Sequence, residues 1–284
     1  MWHEIVNDEV GGLPVTITYC PLCNTAIAFE RTLDGRVLDF GTTGNVRNSD
    51  LVIWDRQTES WWQQITGEAI VGELTGTQLV MVPVNMIAWS DFVAAFPDGQ
   101  VLSRETGAER PYDLTPYGSY DSPASYPFLY GGEPDLRLRA MERVVGLSMG
   151  DESVAYPFSL LEEHKVVHDE VGGQDIVVFF GDESVSAFSQ RDAAEPVLLG
   201  SSGVYKPFAD GTRLTFAPED GGIVDEQTGS TWNVLGKAIE GPLQGEQLAP
   251  IIHANHFWFA WAAFNPHTTV RASEDLEDDE PLAG

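Results

Sequence analysis

The segment HEIVNDEVGGLPVTITY (3–19) recurs 161 residues later as HKVVHDEVGGQDIVVFF (164–180). In both copies a Gly-Gly pair precedes a short run of β-branched and aromatic residues. Such runs are typical of β-strands, and a Gly-Gly pair before them is typical of a tight turn. The segment therefore predicts a turn followed by a strand in each half of the chain.

Further matches occur in the same order along the two halves. RQTESWWQQITGEAIVGELTGTQL (56–79) is similar to EQTGSTWNVLGKAIEGPLQGEQL (226–248), and GTTGNVR (41–47) is similar to GSSGVYK (200–206). Self-similarity at an almost constant offset, kept in order over much of the chain, indicates a tandem duplication.

These patterns predict a β-rich α+β protein made of two homologous units packed with pseudo-two-fold symmetry. Each unit is expected to contain mostly antiparallel strands plus about one helix. In the first unit Ser90 can cap a helix over DFVAAF (91–96). The second unit has HFWFAWAAFNP (256–266) at the corresponding place, which is apolar on every side and is predicted to be a buried helix.

Composition and repeat boundaries divide the chain into four parts. The first unit covers residues 1–115, a connection rich in Pro, Gly and Tyr covers 116–141, the second unit covers 142–272, and an acidic tail covers 273–284. The second unit begins with a lead-in, residues 142–163, for which the first unit has almost no counterpart. We therefore expect the natural protein to be longer at its N-terminus.

The chain is strongly acidic, with 44 acidic and 15 basic residues and a net charge of −29. Scattered acids with few lysines are typical of proteins that stay soluble in concentrated salt, where screening weakens self-repulsion. A nucleic-acid partner is excluded because no basic stripe is present. No stretch reaches the roughly 18 apolar residues that a membrane span requires.

Localisation depends on whether the chain is complete. We expect a soluble protein that is cytoplasmic if nothing is missing, and extracytoplasmic or lipid-anchored if an N-terminal signal is missing. The sequence leaves the oligomeric state open.

Cys20 and Cys23 are the two cysteines of the chain and lie within YCPLCNTAIAF (19–29). The second copy has GDES (181–184) at this place, so packing of the repeated strand does not require the thiols. Cysteines at i and i+3 can form a reducible disulfide, in which one thiolate attacks a partner and the other resolves the mixed disulfide. This favours a thiol-dependent oxidoreductase that uses no cofactor and acts on a small-molecule or protein thiol or disulfide.

Arg47 is a third candidate catalytic residue. It aligns with Lys206, so a cation recurs in both copies, and it can steer an anionic substrate or increase the thiolate fraction near Cys20. The alternative is a surface ion pair that holds a turn.

Two other classes of function remain open from the sequence. Cys20 and Cys23 could bind zinc or copper together with His253 and His256, in a site that would have to span the two copies. Alternatively, the protein is a non-catalytic binding module in which the cysteines are small packing residues.

Several long motifs resemble one protein family. WHEIVNDEVGGLPVTITYCPLCNTAIAFER (2–31), RNSDLVIWDRQTESWWQQITGEAI (47–70) and HFWFAWAAFNP (256–266) are similar to DUF3179, a bacterial and archaeal family of unknown function. The resemblance covers the chain except for the acidic tail and implies no assigned activity. Some members are described as selenoproteins with selenocysteine at the cysteine motif, which implies redox or nucleophilic use of that position. Members often carry an N-terminal export or lipid-anchor signal, and this sequence departs from them by starting inside the first motif, so the resemblance leaves the localisation open.

Overall fold

Short antiparallel strands make up most of the regular structure. The computed structural model describes residues 1–122, 124–127, 129–189, 197–219 and 222–277. Within residues 1–122 the elements are, in chain order, β1 (Ile5–Val10), β2 (Leu13–Cys20), β3 (Thr25–Glu30), β4 (Thr32–Leu33), β5 (Arg36–Val37), β6 (Phe40–Arg47), β7 (Asp50–Asp55), β8 (Trp61–Gln63), β9 (Glu68–Val71), β10 (Met81–Val82) and α1 (Trp89–Ala95).

The later part of the chain adds more strands and most of the helices. In chain order its described elements are β11 (Arg143–Met149), β12 (Glu152–Pro157), α2 (Phe158–His164), β13 (Val166–Val171), β14 (Gln174–Val185), β15 (Leu198–Tyr205), β16 (Phe208–Ala209), β17 (Thr212–Arg213), β18 (Phe216–Glu219), β19 (Gly222–Asp225), β20 (Thr231–Trp232), β21 (Ala238–Glu240), β22 (Ala254–Phe257), α3 (Trp258–Phe264), β23 (Thr269–Val270) and α4 (Ser273–Glu277). Helix α4 covers the start of the predicted acidic tail, and residues 278–284 lie outside the described residues.

The repeated segment forms an antiparallel hairpin in both halves. Strands β1 and β2 pair with Ile5 opposite Thr18, and β13 and β14 pair with Val166 opposite Phe179. Both turns consist of two glycines with positive φ, which is 59° at Gly11 and 58° at Gly172. A two-residue turn of this kind requires positive φ at both positions, and glycine adopts it without a Cβ penalty. The strands predicted after the Gly-Gly pairs are therefore present.

Each half contains the repeated hairpin within one sheet and a separate four-stranded sheet. The strand orders are β1-β2-β3-β10 and β6-β7-β8-β9 in the first half, and β13-β14-β15 and β18-β19-β20-β21 in the second. Another sheet has the order β22-β11-β12-β23, and its β12–β23 pair is parallel. The prediction of a β-rich fold with few helices and mostly antiparallel sheets is confirmed.

Strand β15 does not lie where the sequence alignment places it. It pairs with β14, with Tyr205 opposite Val177, as β3 pairs with β2, with Phe29 opposite Thr16. Residues 200–206 therefore correspond in pairing to the strand after the CxxC turn and not to residues 41–47. Arg47 and Lys206, which the sequence alignment matches, therefore do not lie at equivalent positions in the strand pairing.

The helices differ in burial as the sequence indicates. No residue of α1 is buried, whereas α3 buries Trp258, Phe259 and Trp261. Helix α1 begins after Ala88, and no side chain caps it, so the predicted Ser90 cap is wrong. Among the described residues of the predicted second unit (142–272) there are two helices, α2 and α3, one more than expected there.

One buried polar arrangement occurs in both halves. The Asp55 carboxylate, at the end of β7, accepts hydrogen bonds from Thr58 N at 2.6 Å and Trp62 Nε1 at 3.0 Å. Asp225, at the end of β19, accepts the same bonds from Thr228 N at 2.6 Å and Trp232 Nε1 at 2.9 Å. Each aspartate fixes a tight turn and positions a fully buried tryptophan, which explains the repeated DxQTxSxW pattern.

Replacing Asp225 with alanine is expected to destabilise the protein by about 3 kcal/mol, because buried donors on Thr228, Ser230 and Trp232 lose their acceptor. Urea unfolding at neutral pH measures this change. Glu240→Ala, at an exposed position on strand β21 of the same sheet, is the control and should change the stability little. Equal effects of the two substitutions would show that the Asp225 network does not stabilise the fold.

Candidate functional site

The CxxC turn joins two strands and presents both thiols to one carbonyl group. Strand β2 ends at Cys20 and β3 begins at Thr25, so the dithiol lies in a strand-to-strand turn as the sequence indicates. The Sγ atoms of Cys20 and Cys23 lie 3.8 and 3.4 Å from the carbonyl oxygen of Ser49, and each thiol can donate to it. The turn is closed by a hydrogen bond of 3.2 Å from Cys23 N to Cys20 O.

A buried carboxylate, Asp50, completes the site. The two Sγ atoms and a carboxylate oxygen of Asp50 all lie within 4.8 Å of one another. Asp50 Oδ2 accepts hydrogen bonds from Gln63 Nε2 at 2.5 Å and Ile65 N at 3.0 Å. Among the described residues, Oδ1 has no hydrogen-bond partner of good geometry. One oxygen thus holds the carboxylate in place while the other is left for the thiols or a ligand.

Burial determines the protonation of this group of three side chains. Cys20 is 2% exposed, and Cys23 and Asp50 are fully buried. Burial raises the pKa of Asp50 to about 6, while hydrogen bonds from Gln63 and Ile65 oppose the rise. Burial also raises the pKa of the Cys23 thiol well above its usual range, and the adjacent Cys20 and Asp50 raise it further. Near neutral pH, Cys23 is therefore a protonated thiol, and it lies beside the Asp50 carboxylate, whose pKa of about 6 is close to that pH.

Further buried polar side chains surround the cysteines on the strands of the first half. Thr18 Oγ1 accepts from Gln64 Nε2 at 2.9 Å, and Thr16, Thr18 and Gln64 are fully buried. The positions aligned with them by the repeat are Val177, Phe179 and Val234. All three belong to one apolar core cluster of the second half. Buried polar groups cost free energy unless they are hydrogen-bonded, so polar residues at three positions where the second half has apolar ones point to a site rather than to packing.

A segment of the Pro/Gly/Tyr-rich connection covers the dithiol. We call residues 117–122 the cover segment. The Tyr120 hydroxyl donates to the Leu22 carbonyl inside the CxxC turn at 3.2 Å, and its ring packs on Phe257 with centroids 6.1 Å apart. The next residue, Asp121, forms a buried ion pair of 2.8 Å with Arg143 at the start of β11. At the other end of the segment the Tyr117 hydroxyl donates to Glu4 Oε1 at 3.0 Å, so both ends are held in place, and Tyr120 is the residue that bonds to the CxxC turn.

Strand β22 approaches the CxxC turn from the second half. Phe257 N donates to the Cys23 carbonyl at 2.8 Å, and Thr25 Oγ1 lies 2.8 Å from His256 Nδ1. The cysteines also share one core cluster with Phe257, Phe259 and Ala260. The site therefore lies where strands from both halves of the chain meet.

The residues predicted from the sequence are only partly brought together. Cys20 and Cys23 lie side by side, and Asp50 joins them. His253 and His256 are buried, but neither belongs to the group of ligand atoms around the cysteines. His253 Nδ1 instead donates to the Ile251 carbonyl at 2.8 Å.

Arg47 lies at the edge of the site and does not contact the thiols. It is exposed, its guanidinium lies over the Phe264 ring at 5.5 Å, and Nη1 lies 3.4 Å from Gln63 Oε1. Because Gln63 also donates to Asp50, Arg47 is linked to the carboxylate through one side chain. Hydrogen bonds thus connect Arg47 to the dithiol site through Gln63 and Asp50.

The chain belongs to DUF3179, a family of proteins of unknown function, whose family model matches residues 1–268. The resemblance seen in the sequence motifs is therefore confirmed. No curated protein and no solved structure matches the chain. In the part of the chain that the structure describes, no helix has the length and apolar character needed to cross a membrane.

Proposed function

We propose that this protein is a dithiol–disulfide oxidoreductase in which Cys20 and Cys23 cycle between two thiols and a disulfide. The observation that carries the proposal is the convergence of both thiols on the buried Asp50 carboxylate, whose pKa lies near neutrality. A carboxylate that titrates close to the working pH is suited to accept and return a proton.

The reaction proceeds by two thiol–disulfide exchanges with a partner disulfide. In the first exchange one cysteine gives its proton to Asp50 and attacks the partner, which breaks the partner's S–S bond and forms a mixed disulfide. The leaving partner sulfur takes the proton from Asp50. In the second exchange the other cysteine gives its proton to Asp50 and attacks the mixed disulfide. The second leaving partner sulfur takes this proton from Asp50, so the partner is reduced to two thiols and the Cys20–Cys23 pair is oxidised to a disulfide.

Cys20 is assigned the attack and Cys23 the resolution. Cys23 is fully buried and its thiol pKa is raised well above the usual range, so it remains protonated until a mixed disulfide forms next to it. Cys20 lies at the end of β2, next to the turn that Tyr120 covers. A protein or small-molecule disulfide would reach Cys20 first once the cover segment moves.

A metal centre is the second candidate, and one observation favours it. Cys20, Cys23 and Asp50 offer two thiolates and one carboxylate within 4.8 Å, and the Asp50 Oδ1 atom lacks a hydrogen-bond partner of good geometry among the described residues. Two sulfur donors and an oxygen donor suit zinc, and thiolates also suit copper(I). This ligand set replaces the Cys–His set suggested by the sequence.

Metal analysis and thiol counting on protein purified without a histidine tag separate the two candidates. The dithiol function predicts two free thiols per chain that can be counted without a chelator, and no stoichiometric metal. One zinc or copper per chain, with both thiols protected until a chelator is added, would overturn the dithiol function and support the metal centre.

Tyr120→Ala is expected to increase the rate at which N-ethylmaleimide modifies the two cysteines about tenfold. The substitution removes the hydrogen bond to Leu22 and the packing on Phe257, which makes local opening of the cover segment easier. Tyr126→Ala, an exposed position in the same connection, is the matched control and should leave the rate unchanged. Equal rates in both variants would contradict the role of Tyr120 as the cover of the dithiol.

We also propose that the fold arose by tandem duplication and has pseudo-two-fold symmetry. The equal hairpin registers and the Asp55 and Asp225 networks support this. Phe29 on β3 and Tyr205 on β15 hold corresponding positions in the two halves. Phe29 pairs with Met81 and Tyr205 forms a bridge with Pro250, which is a further similarity between the halves.

The charge of −29 supports a concentrated-salt environment. We expect the melting temperature to increase from dilute buffer to molar potassium chloride, because screening weakens repulsion among the acidic side chains. Thermal unfolding measured across this range tests the proposal, and a melting temperature independent of salt would contradict it.

A further inference from the structure

A partly open cavity adjoins the dithiol site through Ile65, whose backbone N–H donates to Asp50. Its volume is about 230 Å³, and its wall is formed mainly by apolar side chains of β3, β10, β11 and α3. Ile27, Ile65, Leu147, Trp261 and Phe264 contribute to this wall. An apolar cavity of about 150 Å³ is sufficient to hold benzene, so this space accommodates a single ring with a substituent.

One polar side chain with a vacant acceptor, His256, lies in the cavity wall. It is 2% exposed, and the Cδ2 edge of its ring lies beside Gly146, another cavity residue. A Cβ at position 146 would lie 2.9 Å from that Cδ2 atom, so glycine is needed for the ring to sit there. The Cδ2 edge of the ring therefore lies beside a residue of the cavity wall.

Hydrogen bonds to Thr25 determine which ring nitrogen of His256 carries the proton. Thr25 Oγ1 lies 3.2 Å from the Cys23 carbonyl and 2.8 Å from His256 Nδ1. A carbonyl oxygen only accepts, so the single hydroxyl proton of Thr25 goes to Cys23, and the Thr25 oxygen accepts from Nδ1–H. Burial lowers the pKa of His256 to about 3, so the ring is neutral and Nε2 carries a lone pair.

Two other polar side chains of the cavity wall already form hydrogen bonds within the protein. Trp261 Nε1 donates to Thr268 Oγ1 at 2.9 Å, and His253 Nδ1 donates to the Ile251 carbonyl. Within the described residues no donor reaches His256 Nε2. An acceptor in the cavity wall that has no protein donor is available to a ligand that supplies one.

We propose that this cavity binds a small, neutral, largely apolar molecule of single-ring size that donates one hydroxyl or N–H hydrogen bond to Nε2 of His256. An apolar pocket with one well-placed polar group has the usual composition of a small-molecule site. Neither cysteine lines the cavity, so the proposal does not depend on dithiol chemistry. The Thr25 hydroxyl nevertheless links the His256 ring, which would bind the ligand, to the Cys23 carbonyl.

Phenol and toluene, which have nearly the same shape, test the proposal on the full chain by NMR titration. In the wild-type protein, phenol should give intermolecular NOEs to the methyl groups of Ile27, Ile65 and Ile252, which line the cavity. In His256→Phe, the affinity for phenol relative to toluene should fall about tenfold, because only phenol uses the acceptor. His164→Phe, a histidine outside the cavity, is the matched control and should keep the wild-type ratio.

A second variant keeps the test decisive if His256→Phe does not fold. Val84→Trp fills the cavity from a half-buried wall position and should remove binding of both probes. The proposal is overturned if phenol gives no NOEs to the three isoleucines, if both probes still bind Val84→Trp, or if a folded His256→Phe keeps the wild-type ratio.

Discussion

Asp50→Asn is expected to slow exchange of the dithiol with a small disulfide by about 100-fold at pH 7, while the folded protein becomes more stable. The loss of rate follows because asparagine cannot accept the thiol proton, and a positioned general base typically contributes at least this factor. The asparagine oxygen can still accept from Gln63 and Ile65, so the local structure is retained. Stopped-flow release of 4-thiopyridone from 4,4′-dithiodipyridine measures the rate.

The gain in stability follows from the raised pKa of Asp50. Burial raises it from about 3.9 in the unfolded chain to about 6 in the folded one, so the folded state binds the proton more tightly. The stabilisation from this group is complete below about pH 4 and is lost as the pH rises through 6, at a cost of up to about 3 kcal/mol. Asp50→Asn has no titrating group at this position and does not lose stability in this way. Its free energy of unfolding should therefore exceed that of the wild type by an amount that grows between pH 4 and 7, as measured by urea unfolding.

Asp55→Asn is the control for replacing a buried aspartate on the same strand. Asp55 accepts hydrogen bonds from Thr58 and Trp62 and does not contact the thiols, so its replacement should destabilise the protein without the 100-fold loss of rate. A wild-type rate in Asp50→Asn, or an equal loss of rate in both variants, would remove Asp50 from the mechanism.

The two cysteine variants are expected to behave differently toward the same disulfide. Cys23→Ser should react at Cys20 and retain a stable mixed disulfide, because the resolving thiol is absent. Cys20→Ser should react on the order of 100-fold more slowly, because the remaining Cys23 thiol is fully buried and has a raised pKa. Intact-mass spectrometry detects the adduct, and the absorbance of released thiopyridone gives the rates.

The double variant Cys20→Ser/Cys23→Ser is the control and should release no thiopyridone. In the single variants the Ser49 carbonyl can accept from the new hydroxyl, so both should fold. Faster reaction of Cys20→Ser than of Cys23→Ser would reverse the assignment of attacking and resolving cysteine.

The local elements of the fold follow from the sequence where one residue type has a specific conformational requirement. Gly11 and Gly172 lie in two-residue turns with positive φ, and the runs after them form the predicted strands. The apolar surface of HFWFAWAAF correctly predicted that α3 is buried. The assignment of residues 200–206 was wrong because short Gly- and Ser-rich strands carry too little side-chain pattern to fix their partner.

The candidate site was predictable only in its cysteines. Asp50 approaches them because the β6–β7 turn, with Asn48 and Ser49 in the left-handed region, directs the start of β7 toward the CxxC turn. The distance along the sequence from the cysteines to Asp50 does not indicate that Asp50 lies beside them. His253 and His256 were grouped with the cysteines by residue type, but β22 places them in hydrogen bonds to Ile251 and Thr25 instead. A comparison of aligned positions could have found the polar surroundings, because Thr18 and Gln64 stand where the second copy has Phe179 and Val234.

The most direct test of the dithiol function is the redox equilibrium of the Cys20–Cys23 pair in the folded protein. The metal-free full chain is equilibrated with mixtures of reduced and oxidised dithiothreitol, trapped with acid, and analysed by intact mass. The dithiol function predicts a reversible loss of the mass of two hydrogens, fitted by a single two-electron transition. It also predicts a wild-type rate of approach to equilibrium that increases as the pH rises through about 6. Cysteines that remain thiols under every oxidising mixture, or that oxidise only after the protein unfolds, would contradict it.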